Sequence, residues 1–284
     1  MQKILVPVRG DGKGDNVFAH AVAMARRSGA HIQVTHCRSR PEDMIPFGVA
    51  VSPVLKEQII EQSVNLLNKQ EQGLREEILA LAQANGAILA EPSDDDQVTV
   101  SFIEEEGRQI EVIRHYGLLS DMTAVAQPDL DRNIGTNTLQ AALFSTGRPV
   151  MMCPEPKTAI PEILGQHIAI AWDGSVESSR AVAQTLGLLK SADQVTIITN
   201  TTDTIKVSPE ELSGFLAMHG IDANISIIST SSNIGQSILD QAAVIGADML
   251  VLGAYGNSKN LERIAGGVTQ DVIDRANMPV VFVN

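Results

Sequence analysis

The sequence predicts an α/β protein made of two tandem copies of one unit, each a parallel sheet covered by helices. The two copies begin alike. Residues 3–9 read KILVPVR, then a Gly-rich turn, then FAHAVAMARRSGAHIQVTHC, and residues 167–173 read HIAIAWD, then GSVESSRAVAQTLGLLKSADQVTIIT. They also end alike, one with LQAALFSTGRPVMMCP and the other with TQDVIDRANMPVVFVN. Short apolar runs alternate with helical stretches in both, which is the pattern of a parallel sheet with crossover helices. The crossovers are expected to be right-handed.

In the first copy the strands fall at 3–9, 31–37, 98–103, 122–126 and 148–152, and the later helices at about 54–85, 107–116 and 137–145. The loop at 38–53 carries Met44, Ile45, Pro46, Phe47, Val49 and Val51, so it is expected to pack on its own domain or on a partner. Pro154, Pro156 and Pro161 then interrupt both helix and strand. This places a Pro-rich linker at 154–166, between domains at 1–153 and 167–284. The second copy reads strand 167–173, helix 176–190 and strand 194–199. Ser208-Pro209-Glu210-Glu211 is a helix start, with Ser as N-cap and Pro at the first helical position. Strand 223–229, helix 233–245, strand 248–252, helix 267–276 and strand 279–283 complete it.

Composition narrows the function. Against 34 Asp+Glu stand 21 Lys+Arg, a net charge of −13. Such a chain is a poor fit to nucleic acid, whose binding rests on cationic side chains displacing counterions, and to anionic membrane surfaces. No window reaches the roughly 18 consecutive apolar residues of a membrane span, and the first residues are too soon interrupted for a signal peptide. Cys37 and Cys153 make no framework and no Cys-x-x-Cys, so both are expected to be free thiols in a cytoplasmic protein. A structural zinc site is not expected.

Parallel sheets bind ligands at the carboxyl ends of their strands, at the switch point of the topology. In the second copy this singles out Asp173-Gly174-Ser175-Val176-Glu177-Ser178 after the first strand and Gly253-Ala254-Tyr255-Gly256 after the fourth, continuing to Gly266-Gly267-Val268-Thr269. The first segment sets a carboxylate beside a helix start. The second supplies glycines that let backbone N–H groups approach an anion, next to the start of the last helix. Neither G-x-x-x-x-G-K-[ST] nor G-x-G-x-x-G occurs.

Asp173-x-Ser175-x-x-Ser178-x-x-Ala181, together with Gly253-x-x-Gly256-x9-Gly266 and the closing Pro279-Val280-Val281, resembles the universal stress protein family. The second copy resembles its nucleotide-binding members, and the whole chain its tandem members. The resemblance implies two tandem doubly wound parallel five-stranded sheets, strand order 3-2-1-4-5, with helices on both faces and the domains paired through their fifth strands. It implies ATP or AMP, with or without Mg, as a regulatory ligand, adenine and ribose lying near Asp173 and Ser175. The phosphates would lie on Gly256, Gly266, Gly267 and Val268, along the loop that begins at Gly253. It implies a stress-response role and a partner that is a nucleotide, an unknown protein or a second copy; the residues themselves offer no general base, so no catalytic residue and little or no turnover are expected.

Gly267 stands where the family has Ser or Thr. A hydrogen bond to a charged group is worth about 1.5–3 kcal/mol, so its absence weakens binding by roughly 10–100-fold, with Thr269 the nearest substitute. The first copy departs further. Arg9 stands at the Asp173 position, and Gln127-Pro128-Asp129-Leu130 replaces the Gly-x-x-Gly segment, leaving Gly135 alone. That copy reads as degenerate and without nucleotide. The alternative function is a nucleotide-free interaction or small-molecule module that uses the apolar 38–53 loop.

Two further patterns read as structural. Asp94-Asp95-Asp96 and Glu104-Glu105-Glu106 are expected to be solvated runs. His36 and Cys37 are strand neighbours that point to opposite faces, so no dyad is expected.

Overall fold

The computed structural model describes residues 1–8, 14–38, 72–92, 97–129, 135–155, 159–200, 206–230, 232–254 and 267–284. In the first half the chain runs β1 (Lys3–Val8), α1 (Gly14–Ala25), β2 (His31–Arg38), α2 (72–84), β3 (Ile88–Leu89) and β4 (Thr99–Glu106). It continues through α3 (Gln109–Gly117), β5 (Met122–Ala126), α4 (Thr136–Ser145) and β6 (Val150–Cys153). The second half runs β7 (His167–Trp172), α5 (Val176–Ser191), β8 (Gln194–Asn200), α6 (Pro209–Met218) and β9 (Ala223–Ile228). It ends with α7 (Ile234–Val244), β10 (Met249–Gly253), α8 (Val268–Arg275) and β11 (Val280–Val283). The Ser208 signature is a complete capping box: Ser208 Oγ accepts from Glu211 N, and the Glu211 carboxylate accepts from Ser208 N at 2.8 Å.

The expectation of two separate five-stranded sheets is corrected. The strands form one continuous mixed 11-stranded sheet, β3-β4-β2-β1-β5-β6-β11-β10-β7-β8-β9. Every neighbouring pair is parallel except β6 and β11, which run antiparallel with Val280 opposite Met152 and Phe282 opposite Val150. The physical reason lies in the strands themselves. VMMC and VVFV are wholly buried, so as separate sheet edges they would leave apolar side chains and unpaired backbone groups to water. Joining them satisfies both. The eleventh strand, β3, is a two-residue addition beside β4, too short for its pattern to show in the sequence.

Two apolar cores lie on the two faces of this sheet, and each crosses the joint. Met151, Val281 and Val283 share one core with Phe18, Val22, Ile168, Ile170, Trp172 and Leu216. Val150, Met152, Val280 and Phe282 share the other with Leu139, Leu143, Ile238 and Val272. The alternation of strand side chains thus sends α1, α5 and α6 to one face and α4, α7 and α8 to the other. The connecting segment packs back on α1. Leu164 is buried and its N–H bonds to the Ala23 carbonyl at 3.1 Å, Asn16 Nδ2 donates to Pro154 O, and Arg26 donates to Glu162 O. Arg27 donates to Ser191 O and pairs with Asp193 at 3.2 Å.

Both cysteines are free. Cys37 Sγ donates to Gly107 O at 3.2 Å, and burial pushes the Cys153 thiol far up. Cys37 lies on β2 and Cys153 on β6, three strand spacings apart. At roughly 4.8 Å each, that distance rules out a bridge.

Candidate functional site

The sheet order sets a switch point between β7 and β10. From β7 the chain passes to β8 on one side, and from β10 to β11 on the other. The α5 helix follows β7 on one face and α8 follows β10 on the opposite face, the arrangement in which open α/β sheets hold ligands at the carboxyl end of the strands.

Beyond β7, Asp173 is exposed and its Oδ1 accepts from Ser175 N at 3.0 Å, with Gly174 at φ +70°. This local turn aims the chain into α5. The N-cap of α5 is Ser175 rather than Asp173: the Ser175 hydroxyl accepts from Ser178 N at 3.1 Å, and Ser178 Oγ donates back to Ser175 O. One Asp173 oxygen is used by the turn, and the exposed carboxylate keeps acceptor capacity for hydroxyl donors.

Gly253 ends β10. A Cβ there would lie 2.5 Å from Glu177 C and 2.6 Å from Ser178 N. The residue is glycine because the first turn of α5 rests on it, a packing role that the sequence reading, which saw only an anion loop, did not contain. The close approach brings the Asp173–Ser178 segment and the end of β10 together. Gly256 and Gly266 lie outside the described residues.

Gly267 is the N-cap of α8, at φ +144° and ψ +167°, and its carbonyl accepts from Asp271 N at 3.0 Å. No side chain caps this helix start, and no described atom lies within 4 Å of where a Gly267 Cβ would sit. Val268 and Thr269 form the first turn, whose N–H groups have no intrahelical acceptor. The conformation is one that essentially only glycine adopts. The sequence argument predicts that Gly267→Ser restores a phosphate-binding hydroxyl; the backbone now opposes that. Gly267→Ser is expected to lower stability by about 1–3 kcal/mol, and to leave nucleotide affinity unimproved. Thermal unfolding with parallel ligand titration checks both.

The equivalent place in the first half is built differently. Gly135 caps α4 at φ +93°, and a Cβ on it would meet Pro128 Cα at 3.3 Å. The chain's own loop after β5 therefore lies against that helix start. Gln127 N donates to Cys153 O, and Gln127 Nε2 reaches across to the Ile273 carbonyl of α8 at 2.7 Å. Arg9 and Leu130 lie outside the described residues, as does the 39–53 stretch of the apolar loop.

The remaining candidates separate. His36 Nδ1 pairs with Glu104 Oε1 at 3.0 Å while Cys37 turns to Gly107, so the two neighbours have different partners. Glu104, Glu105 and Glu106 lie on β4 rather than in a loop; Glu105 and Glu106 are exposed, as a solvated run requires, while Glu104 is half-buried against His36. Tyr116 donates to Glu105 at 2.5 Å, and burial with that carboxylate pushes the phenol up to about 12. Asp94, Asp95 and Asp96 lie outside the described residues. Among the described residues no cluster of three or more His, Cys, Asp or Glu is placed to hold a metal, and no helix is long and apolar enough to cross a membrane.

Sequence reading also missed Val207. Its carbonyl accepts from Trp172 Nε1 at 2.9 Å, tying the strand before Asp173 to the entry of α6. No sequence signal marks that pairing, because a backbone acceptor has no residue type.

With this geometry in view, comparison with known proteins gives a consistent result. The model of the universal stress protein family matches residues 215–284. A universal stress protein from Archaeoglobus fulgidus DSM 4304 aligns over 99% of this chain and 98% of its own, with a TM-score of 0.73 and 15% identity. A putative universal stress protein from Pseudomonas aeruginosa UCBPP-PA14 aligns over 100% of this chain and 93% of its own, with a TM-score of 0.54 and 18% identity. A universal stress protein solved in complex with cAMP covers 42% of this chain and 96% of its own, at 24% identity and a TM-score of 0.37. No curated protein sequence matches the chain. The chain thus shares the universal stress protein fold over its whole length, and residues 215–284 match that family in sequence as well.

Proposed function

We propose that this is a cytoplasmic stress-response protein whose second half, residues 167–284, holds one nucleotide as a regulatory ligand, while the first half, residues 1–153, holds none. Residues 154–166 join the two. The observation that carries this reading is the contrast between the two helix starts. Neither start has a side-chain cap, but the Gly267 Cβ position is clear of described atoms, whereas a Cβ on Gly135 would meet Pro128 Cα at 3.3 Å. An uncapped helix N-terminus with free N–H groups suits phosphate.

ATP or AMP fits the residues. Phosphates would take N–H groups from Gly256, Gly266, Gly267, Val268 and Thr269, with or without Mg. The ribose hydroxyls would donate to the exposed Asp173 carboxylate beside Ser175. Gly253 acts indirectly, by seating α5. The donor set binds and orients the nucleotide but offers no described general base, so turnover is expected to be slow or absent.

Trp172, the single tryptophan of the chain, reports on binding. It is buried, and its indole Nε1 donates to Val207 O at the carboxyl end of the sheet. ATP is expected to change its emission saturably, through the Val207 bond, and GTP to do so less. A flat trace together with no calorimetric heat for ATP contradicts the proposal.

A further inference from the structure

We infer that β9 is a self-association edge, pairing antiparallel with β9 of a second copy of this chain. The inference rests on the sheet and not on the nucleotide reading. With the fifth strands consumed by the β6–β11 joint, the sheet formed by the described residues ends at β3 and β9. The two edges are unlike. β3 is two residues long and runs into Glu91 and Pro92. β9 is six residues, Ala-Asn-Ile-Ser-Ile-Ile, with no charge and no proline. Its own residues thus carry neither the charge nor the proline that commonly blunts an edge against adding another strand.

The side chains point the same way. Ala223 belongs to the core under α6 and Ile228 to the core under α7. Alternation then sets Ile225 and Ile227 on the α6 face, and Asn224 and Ser226 on the α7 face, where Gln241 Nε2 donates to Ser226 Oγ at 2.9 Å. Ile227 is 58% exposed and Ile225 36%. On α6, which is tied to β9 by Ser213 Oγ donating to Ala223 O, Met218 is 78% exposed and Phe215 38%. Apolar residues thus line one face of the open edge.

The pattern also selects the partner and the register. In a two-fold antiparallel pair centred on Ser226, Ile225 of each copy lies opposite Ile227 of the other, giving two apolar cross-strand pairs on one face. Centring on Ile225 instead sets Ile227 opposite Ala223, and centring on Ile227 sets Ile225 opposite Ser229. The self-pair at Ser226 is the one that matches both isoleucines. Charge favours the same place. Two chains of net charge −13 repel, and residues 223–230 carry no charge. A two-fold contact is closed, so association stops at the dimer.

Sedimentation equilibrium of the full chain tests this. Wild type is expected to show a concentration-dependent monomer–dimer equilibrium. Ile227→Lys, at an exposed site, is expected to keep the melting temperature and to weaken the dimer by at least about 100-fold. Ser226→Cys in a Cys37→Ser background is expected to give a disulfide-linked dimer on mild oxidation, since directly opposed antiparallel residues lie about 4.5–5.5 Å apart at Cα. A wild type that stays monomeric at every concentration overturns the inference. So does a dimer untouched by Ile227→Lys, or an absent Ser226→Cys cross-link.

Discussion

Replacing Phe282 by alanine is expected to destabilise the entire chain by about 3–5 kcal/mol, the cost of removing a fully buried aromatic side chain and leaving a cavity. Phe282 is 0% exposed, stands opposite Val150 of the first half, and belongs to a core that includes Leu139 and Leu143 of that half and Val272 and Ile273 of the second. The cavity therefore lies on the joint and is shared by both halves. Unfolding is expected to stay a single transition, moved to lower temperature for both halves together. Calorimetry that resolves two transitions, with the first half unmoved, contradicts the shared core.

The second large effect is at Gly253. Alanine there places a Cβ 2.5–2.7 Å from the Glu177 and Ser178 backbone. Backbone cannot step aside as a flexible side chain can, so the start of α5 has to move. Overpacking of this kind costs about 1–3 kcal/mol, and here it also displaces Ser175 and Asp173 from the switch point. Gly253→Ala is expected to lower the melting temperature and to lose nucleotide affinity together. Gly187→Ala is the matched control. It lies inside α5 with no atom within 4 Å of its Cβ position, and is expected to stabilise by up to about 1 kcal/mol. Paired melting curves and titrations of the two variants measure the contrast.

How much of this was legible in the sequence follows from the range of each interaction. The elements of the second half were, because its signals are local. Ser208-Pro209-Glu210-Glu211 sits on α6 as a capping box, and apolar alternation marks β7, β8 and β10. The single sheet was not legible in any local pattern, and only the family resemblance implied the pairing of fifth strands, because the joint depends on two apolar strands about 130 residues apart in the chain meeting edge to edge. Periodicity within either strand is the same whether the edge is paired or bare. The site was half legible. Sequence singled out Asp173, Ser175 and the Gly253–Thr269 segment as strand-end loops. It did not show that Gly253 serves α5 packing, nor that Gly267 has a φ of +144°, since a glycine in sequence does not say which of its freedoms is used. The departure of the first half from the Gly-x-x-Gly pattern was visible in Pro128, and the structure adds where that proline lies, against Gly135.

Calorimetric titration of the full chain with ATP tests the central proposal most directly, because it counts sites. The expected result is one site per chain, with the heat greatly reduced in Asp173→Ala and unchanged in Gly187→Ala. Two equivalent sites per chain, or one site indifferent to Asp173→Ala, would contradict the assignment of the nucleotide to the switch point between β7 and β10.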